Sequence, residues 1–453
     1  MTPLADLARA MFAAAVGAVQ PAALVRRIGF IPAGIEYGGE PLAPSGRLVL
    51  VAIGKASPGL AAAFLARTQR RPDLTFVLAP YGVPTPAELR AHTRFASHPV
   101  PDASGGAATR ELLALLGGLE PSDGVVLLLS GGGSALLAQP LVGLSLDDLG
   151  ALTRAVLAAG APIQELNAVR KHLLAAAGGR MALRCAAPIV TLALSDVPGD
   201  DLATIASGPT VADPTTFADA LDVLERHGLS GSFPQVVALL DAGRRGEHEE
   251  TAKPGDPRLA RSRAYVVASS REALDAAAAV AAEAGARAVQ LGRTVRGEAR
   301  EVGAALAALA RALAPGEPIA LLAAGETTVT VRGRGCGGRN LEVALAAALG
   351  LADVPERCVL AGGTDGVDGL SPAAGAVVDG GTVARGTAAR ERDALAALDD
   401  NDAWGYFHGA PEAIVTGPTG TNVADLMFVL AAGSPPRFLA AEGRLGRPLP
   451  AGP

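Results

Sequence analysis

The run Val126-Leu-Leu-Leu-Ser-Gly-Gly-Gly-Ser-Ala-Leu-Leu137 admits few structures. Its successive branched apolar residues suit a strand buried on both faces. The three glycines let the backbone turn and approach a ligand with no Cβ in the way, and Ser134-Ala-Leu-Leu137 reads as the first turn of a helix. Strand, glycine turn and helix start together make an anion site, because unsatisfied N–H groups point out of a helix N-terminus. Ser130, Gly131, Gly132, Gly133 and Ser134 are the residues expected to bind there. One such run could be a ligand-free turn, but the pattern recurs along the chain.

Six polar, glycine-rich strand ends are readable, and they offer Lys55, Ser134, Asp196, Arg339, Asp365 and Asn422. Lys55 follows the apolar run Arg47–Gly54 and precedes a helix opened by Ser57-Pro58. A lysine there sits against the helix dipole unless an anion offsets it, so Lys55 is a candidate phosphate or carboxylate ligand. Asp196 and Asp200 follow the apolar run Pro188–Leu194, at the kind of strand end where open α/β sheets bind ligands. As hard oxygen donors they are candidate Mg²⁺ ligands. Asn167, Arg170 and Lys171 are three and four residues apart in one helical pattern and so share a basic, polar face, on which Asn167 and Arg170 are candidate substrate or phosphate ligands.

Strands alternating with helices predict an α/β fold, and 453 residues exceed one ordinary core. A shift to Gly, Pro, Arg and Glu marks a linker at 241–262, between an N-terminal parallel-sheet, Rossmann-like domain (1–240) and a smaller C-terminal lobe (263–453). A net charge of −6 argues against nucleic acid or an anionic membrane as the main partner. Three widely spaced cysteines, with no C-x-x-C, favour a reduced, cytoplasmic setting. No apolar run reaches membrane-spanning length, and Leu4, Leu7, Met11, Phe12 and Ala15 fall on one face of an amphipathic first helix.

Two cations, several carboxylates and many backbone N–H groups suit phosphoryl transfer, where positioning and charge stabilisation dominate. Walker A is absent: Gly54-Lys55 is followed by Ala and lacks the upstream glycine. Gly333-x-Gly335-x-x-Gly338 satisfies the dinucleotide fingerprint, which raises an oxidoreductase. Its lead-in Gly325–Arg332 alternates Thr and Val, however, and reads as half of an antiparallel hairpin.

The motifs Val51-Ala-Ile-Gly-Lys-Ala56, His98-Pro-Val-Pro-Asp102, Leu129-Ser-Gly-Gly-Gly-Ser-Ala-Leu136, Leu166-Asn-Ala-Val-Arg-Lys-His-Leu173, Leu194-Ser-Asp-Val-Pro-Gly-Asp200, Gly338-Arg-Asn340, Gly363-Thr-Asp-Gly-Val-Asp-Gly369 and Gly417-Pro-Thr-Gly-Thr-Asn-Val423 run in order over nearly the whole chain. As a set they resemble the glycerate 2-kinase family of the MOFRL type. The resemblance implies an ATP-dependent kinase making 2-phosphoglycerate from D-glycerate with Mg²⁺. It further implies a MOFRL domain at about 318–430 and an active site in a cleft between the two domains. It makes Lys55 and Arg339 catalytic, facing one polyphosphate, with Asp365 and Asn422 completing the site. Members of this family have also been labelled hydroxypyruvate reductases, so reduction with NADH or NADPH is the alternative. A non-catalytic sugar-acid or nucleotide sensor is a third class, against which Lys55 and Arg339 weigh. Self-association is left open by the sequence.

Overall fold

The computed structural model describes residues 2–314, 316–390 and 392–433. Its chain divides into two compact units, Pro21–Ala268 and Met1–Gln20 with Ser269–Pro453. The last residues of the expected C-terminal lobe, 434–453, lie outside the described residues.

The Pro21–Ala268 unit begins with a small antiparallel meander of β1 (Gly29–Ile31), β2 (Gly34–Tyr37) and β3 (Glu40–Leu42). Six strands then build one wholly parallel sheet: β4 (Leu48–Ile53), β5 (Leu74–Pro80), β6 (Thr93–Ala96), β7 (Gly124–Leu129), β8 (Ile189–Leu194) and β9 (Ser262–Ala268). β4, β7 and β8 are buried at every position, as their unbroken apolar runs require of a sheet covered on both faces. Spatial order is β6-β5-β4-β7-β8-β9, so the direction of winding reverses between β4 and β7. In such doubly wound sheets that reversal opens a crevice at the carboxyl ends of the strands. Ile53 lies level with Leu129, which brings Gly54-Lys55 beside Ser130-Gly131.

In the other unit, β10 (Arg287–Val295), β11 (Ile319–Gly325), β12 (Arg357–Gly363), β13 (Gly375–Asp379), β14 (Ala413–Ile414) and β15 (Asp425–Ala431) form a mixed sheet in the order β10-β11-β15-β12-β13-β14. Only β10 and β11 are parallel. Asp425 pairs with Gly325 on one side and Gly363 on the other, so the head of β15 is level with the ends of β11 and β12. Two parts of the chain sit differently from the sequence expectation. The first helix, Pro3–Ala18, belongs with this unit and packs on helix Ser270–Glu283 and β12, where a Cβ on Gly362 would come within 2.8 Å of Phe12. β9 closes the parallel sheet of the first unit, and much of the expected linker is built into that unit: Thr251 and Ala252 are buried there.

Residues 326–332 form no ladder; Thr328 makes one isolated parallel bridge with Glu298 in place of the expected hairpin strand. Among the described residues no helix is long and apolar enough to cross a membrane.

Candidate active site

At the reversal of the parallel sheet, two loops interlock. Gly54 has φ +116°, and a Cβ there would stand 2.3 Å from the Ser130 hydroxyl and 2.4 Å from its carbonyl, so only glycine fits. The Lys55 N–H donates to Gly131 O at 2.9 Å and the Ala56 N–H to Ser130 Oγ at 3.1 Å. Ser130 was expected to bind ligand. It is fully buried, with its hydroxyl committed to Ala56 N and Ile53 O, and therefore fastens the two loops together.

The glycine turn keeps backbone amides that no acceptor among the described residues takes up. Gly132 has φ +86°, and a Cβ on it would lie 3.0 Å from the His98 ring and 3.3 Å from Lys55 Cγ, so lysine and histidine flank the bare backbone. Among the described residues, the N–H groups of Gly131, Gly132 and Gly133 donate no hydrogen bond. The helix after them is only Gly133–Leu136, so its dipole contributes little and individual N–H groups carry any anion binding. Ser134 Oγ stands 3.0 Å from Ser207 Oγ. Ala206, Ser207 and Gly208 all have positive φ, a strained turn pressed against Gly133, where an added Cβ would meet Ala206 Cβ at 2.6 Å.

Of the acids after β8, Asp201 caps a turn through Ala203 N at 3.0 Å and Thr204 Oγ1 at 2.8 Å. Asp200 adopts φ +59°. Among the described residues no group of three or more His, Cys, Asp or Glu could hold a metal ion unaided, Asp196 and Asp200 included. Asn167 is buried and Arg170 half-buried on helix Ile163–Leu173, which packs against the Ile205–Ser207 turn. Lys171, on the same face, is buried against Asp213 at 3.3 Å, a structural ion pair.

The mixed-sheet unit gathers a second cluster. Arg339 opens helix Arg339–Leu351. Sequence suggests a cation ready for phosphate, but the guanidinium is already gripped: Nε donates to Asp425 Oδ2 at 2.5 Å, Nη2 to Asp425 Oδ1 at 3.1 Å, and Nη1 lies 3.0 Å from Glu326 Oε1. Burial works to lower the arginine's pKa, but the charges of Asp425 and Glu326 outweigh it and raise it. Asp368 caps the same helix, accepting from Asn340 N at 3.1 Å and Leu341 N at 2.8 Å. Burial, reinforced by the like charge of Asp425, pushes the Asp368 carboxyl up to about 7. A Cβ on Gly363 would find Asp365 Oδ1, Asn340 Nδ2 and Asp425 Oδ1 between 3.2 and 3.4 Å, so these groups converge on the end of β12. Asn422, buried, turns its carboxamide oxygen to Ala424 N at 3.3 Å just before β15.

Asp425, Glu326 and Asp368 carry no role in the sequence reading. One signal could have found Asp425: a carboxylate heading the otherwise apolar run Asp425-Leu-Met-Phe-Val-Leu-Ala431.

The dinucleotide fingerprint loses its footing. Cβ atoms on Gly333 and Gly335 would collide with Asp400 and Asp402 at 2.2–2.3 Å, so these glycines pack against a protein loop. Asp368 already holds the N–H groups that a pyrophosphate would need.

A family model described as a domain of unknown function, DUF4147, matches residues 7–241, and the MOFRL family model matches residues 319–425. The chain is 42% identical over 407 residues to an Agrobacterium vitis protein provisionally named a hydroxypyruvate reductase, covering 86% of this chain and 88% of that one. It is 38% identical over 390 residues to the D-glycerate 2-kinase of Thermotoga maritima, covering 85% and 90%. A crystal structure of glycerate kinase from Thermotoga maritima matches with a TM-score of 0.81 at 36% identity, over 95% of this chain and 99% of that one.

Proposed function

The chain belongs to the glycerate kinase family that joins a DUF4147 domain to a MOFRL domain, and from that premise we propose that it transfers the γ-phosphoryl group of ATP to the 2-hydroxyl of D-glycerate. The observation that carries this reading is Lys55 beside the undonated amides of Gly131–Gly133, at the point where the parallel sheet reverses. A cation and backbone donors with no nucleophile among them suit a reaction in which charge is stabilised and atoms are aligned.

In this reading Lys55 and the glycine amides take the phosphate charge, and Ser134 adds a hydroxyl donor. Arg339, oriented by Asp425, is the candidate phosphoryl-stabilising cation of the mixed-sheet unit, its outer N–H groups shared with Glu326. Asp365 and Asn422 hold polar groups of the substrate. Mg²⁺ bound with the nucleotide would supply charge neutralisation of the phosphates. An ion held mainly by phosphates and water needs only one or two carboxylates, a role Asp196 and Asp200 suit after β8. A cytoplasmic setting belongs to the same proposal and accords with the free thiols of Cys185, Cys336 and Cys358.

Hydroxypyruvate reduction with NADH or NADPH is the competing reading, and the packed fingerprint glycines weigh against it. Purified protein is to be assayed with D-glycerate, ATP and Mg²⁺, and in parallel with hydroxypyruvate and NADH or NADPH. ADP formation without nicotinamide oxidation is the expected result; the opposite pattern overturns the kinase reading.

A further inference from the structure

Among the described residues, the arginines whose pKa burial lowers are, with one exception, spoken for. Burial lowers the pKa of Arg9, Arg180 and Arg170 alike. Arg9 spends its guanidinium on the carbonyls of Pro411, Glu412 and Ala413, and Arg180 on those of Lys171, Leu174 and Glu249. Arg170 has no hydrogen bond or ion pair among the described residues. A half-buried guanidinium without an acceptor has lost hydration and gained nothing in return, a cost that a ligand carboxylate would remove.

Its position suits such a ligand. Arg170 lies on helix Ile163–Leu173 with Asn167 one turn before it on the same face, and that helix packs against the strained Ile205–Ser207 turn. Ser207 in turn meets Ser134 of the glycine turn at 3.0 Å. We propose that Arg170 binds the carboxylate of the acceptor substrate through its guanidinium fork, and so selects 2-hydroxy acids over neutral polyols. The proposal rests on the kinase reading for the identity of the acid. It adds the group that distinguishes a sugar acid from a sugar alcohol, since a planar fork matches a carboxylate and a hydroxyl does not reproduce it.

The test separates the two claims. D-Glycerate binding without nucleotide is measured by calorimetry on wild type, Arg170→Gln and Arg170→Lys, each first checked for an unchanged circular dichroism spectrum. Turnover with D-glycerate and with its neutral amide is then compared. Expected are a loss of D-glycerate affinity on the order of 100-fold in Arg170→Gln, a smaller loss in Arg170→Lys, and collapse of the acid-over-amide preference with the KM for ATP unchanged. A merely structural arginine would weaken acid and amide equally. Equal affinity of wild type and Arg170→Gln for D-glycerate overturns the carboxylate assignment even if ADP is released. Acid binding that depends on Arg170 with no ADP release by wild type sustains it and overturns the kinase reading. Wild type that binds no D-glycerate overturns the carboxylate assignment, and ADP release decides the kinase reading by itself.

Discussion

Asp425, with 1% of its side chain exposed, holds Arg339 through two N–H groups, at 2.5 and 3.1 Å. An arginine on a helix start has several rotamers, and this buried fork selects one. Replacing Asp425 by Asn keeps the volume but removes the charge that fixes the guanidinium. Turnover is expected to fall on the order of 100-fold, and unfolding free energy by about 1–3 kcal/mol. Steady-state kinetics beside a urea titration would check both; wild-type turnover in Asp425→Asn would remove its positioning role.

Glu326 lies on the outer edge of the same guanidinium, 3.0 Å from Nη1, and is half exposed. In the proposed reaction it competes with phosphate. Glu326→Gln is therefore expected to lower the KM for ATP by roughly two- to fivefold, with stability little changed, because exposed ion pairs contribute little. A raised KM would show that the carboxylate assists phosphate binding.

Lys55→Ala and Arg339→Ala are each expected to lower kcat by about 10²–10³-fold. Lys55 is half-buried at a strand end, so its variant should keep the fold and an unchanged circular dichroism spectrum. Arg339→Ala strands Asp425 as a buried unpaired carboxylate and should melt lower. Turnover within a factor of about three of wild type in either variant would discard that residue as a phosphoryl-stabilising group.

Asp368 gives a pH signature. Its folded pKa, about 7, stands above the ordinary carboxylate value of about 3.9 in the unfolded chain. Between those values the folded protein keeps a proton that the unfolded chain has released. Its contribution to stability is thus full below about pH 4 and is lost as the pH rises to about 7, at no more than about 1.4 kcal/mol per unit. Asp368→Asn abolishes this titration, so the melting temperature of wild type relative to the variant should fall from pH 5 to pH 7. Parallel profiles would refute the shift.

The alternation of strand and helix, and the glycine-ended strands that carry Lys55, Gly131–Gly133 and Asp365, were legible because they are local. A strand buried on both faces must be continuously apolar, and a turn with positive φ or no room for Cβ must be glycine, as at Gly54 and Gly132. The role of Ser130 was misread for the same reason: a hydroxyl after a strand looks identical whether it faces a ligand or a neighbouring loop.

What the amino acids alone determined was the kind of element and the chemistry at each strand's end, since φ/ψ preference and hydrophobic patterning act over a few residues. Which ends meet was decided by the fold. Asp425 reaches Arg339 across 86 positions, and β9 and the first helix found their sheets in opposite units, because strand register and core packing pair residues that no local preference links.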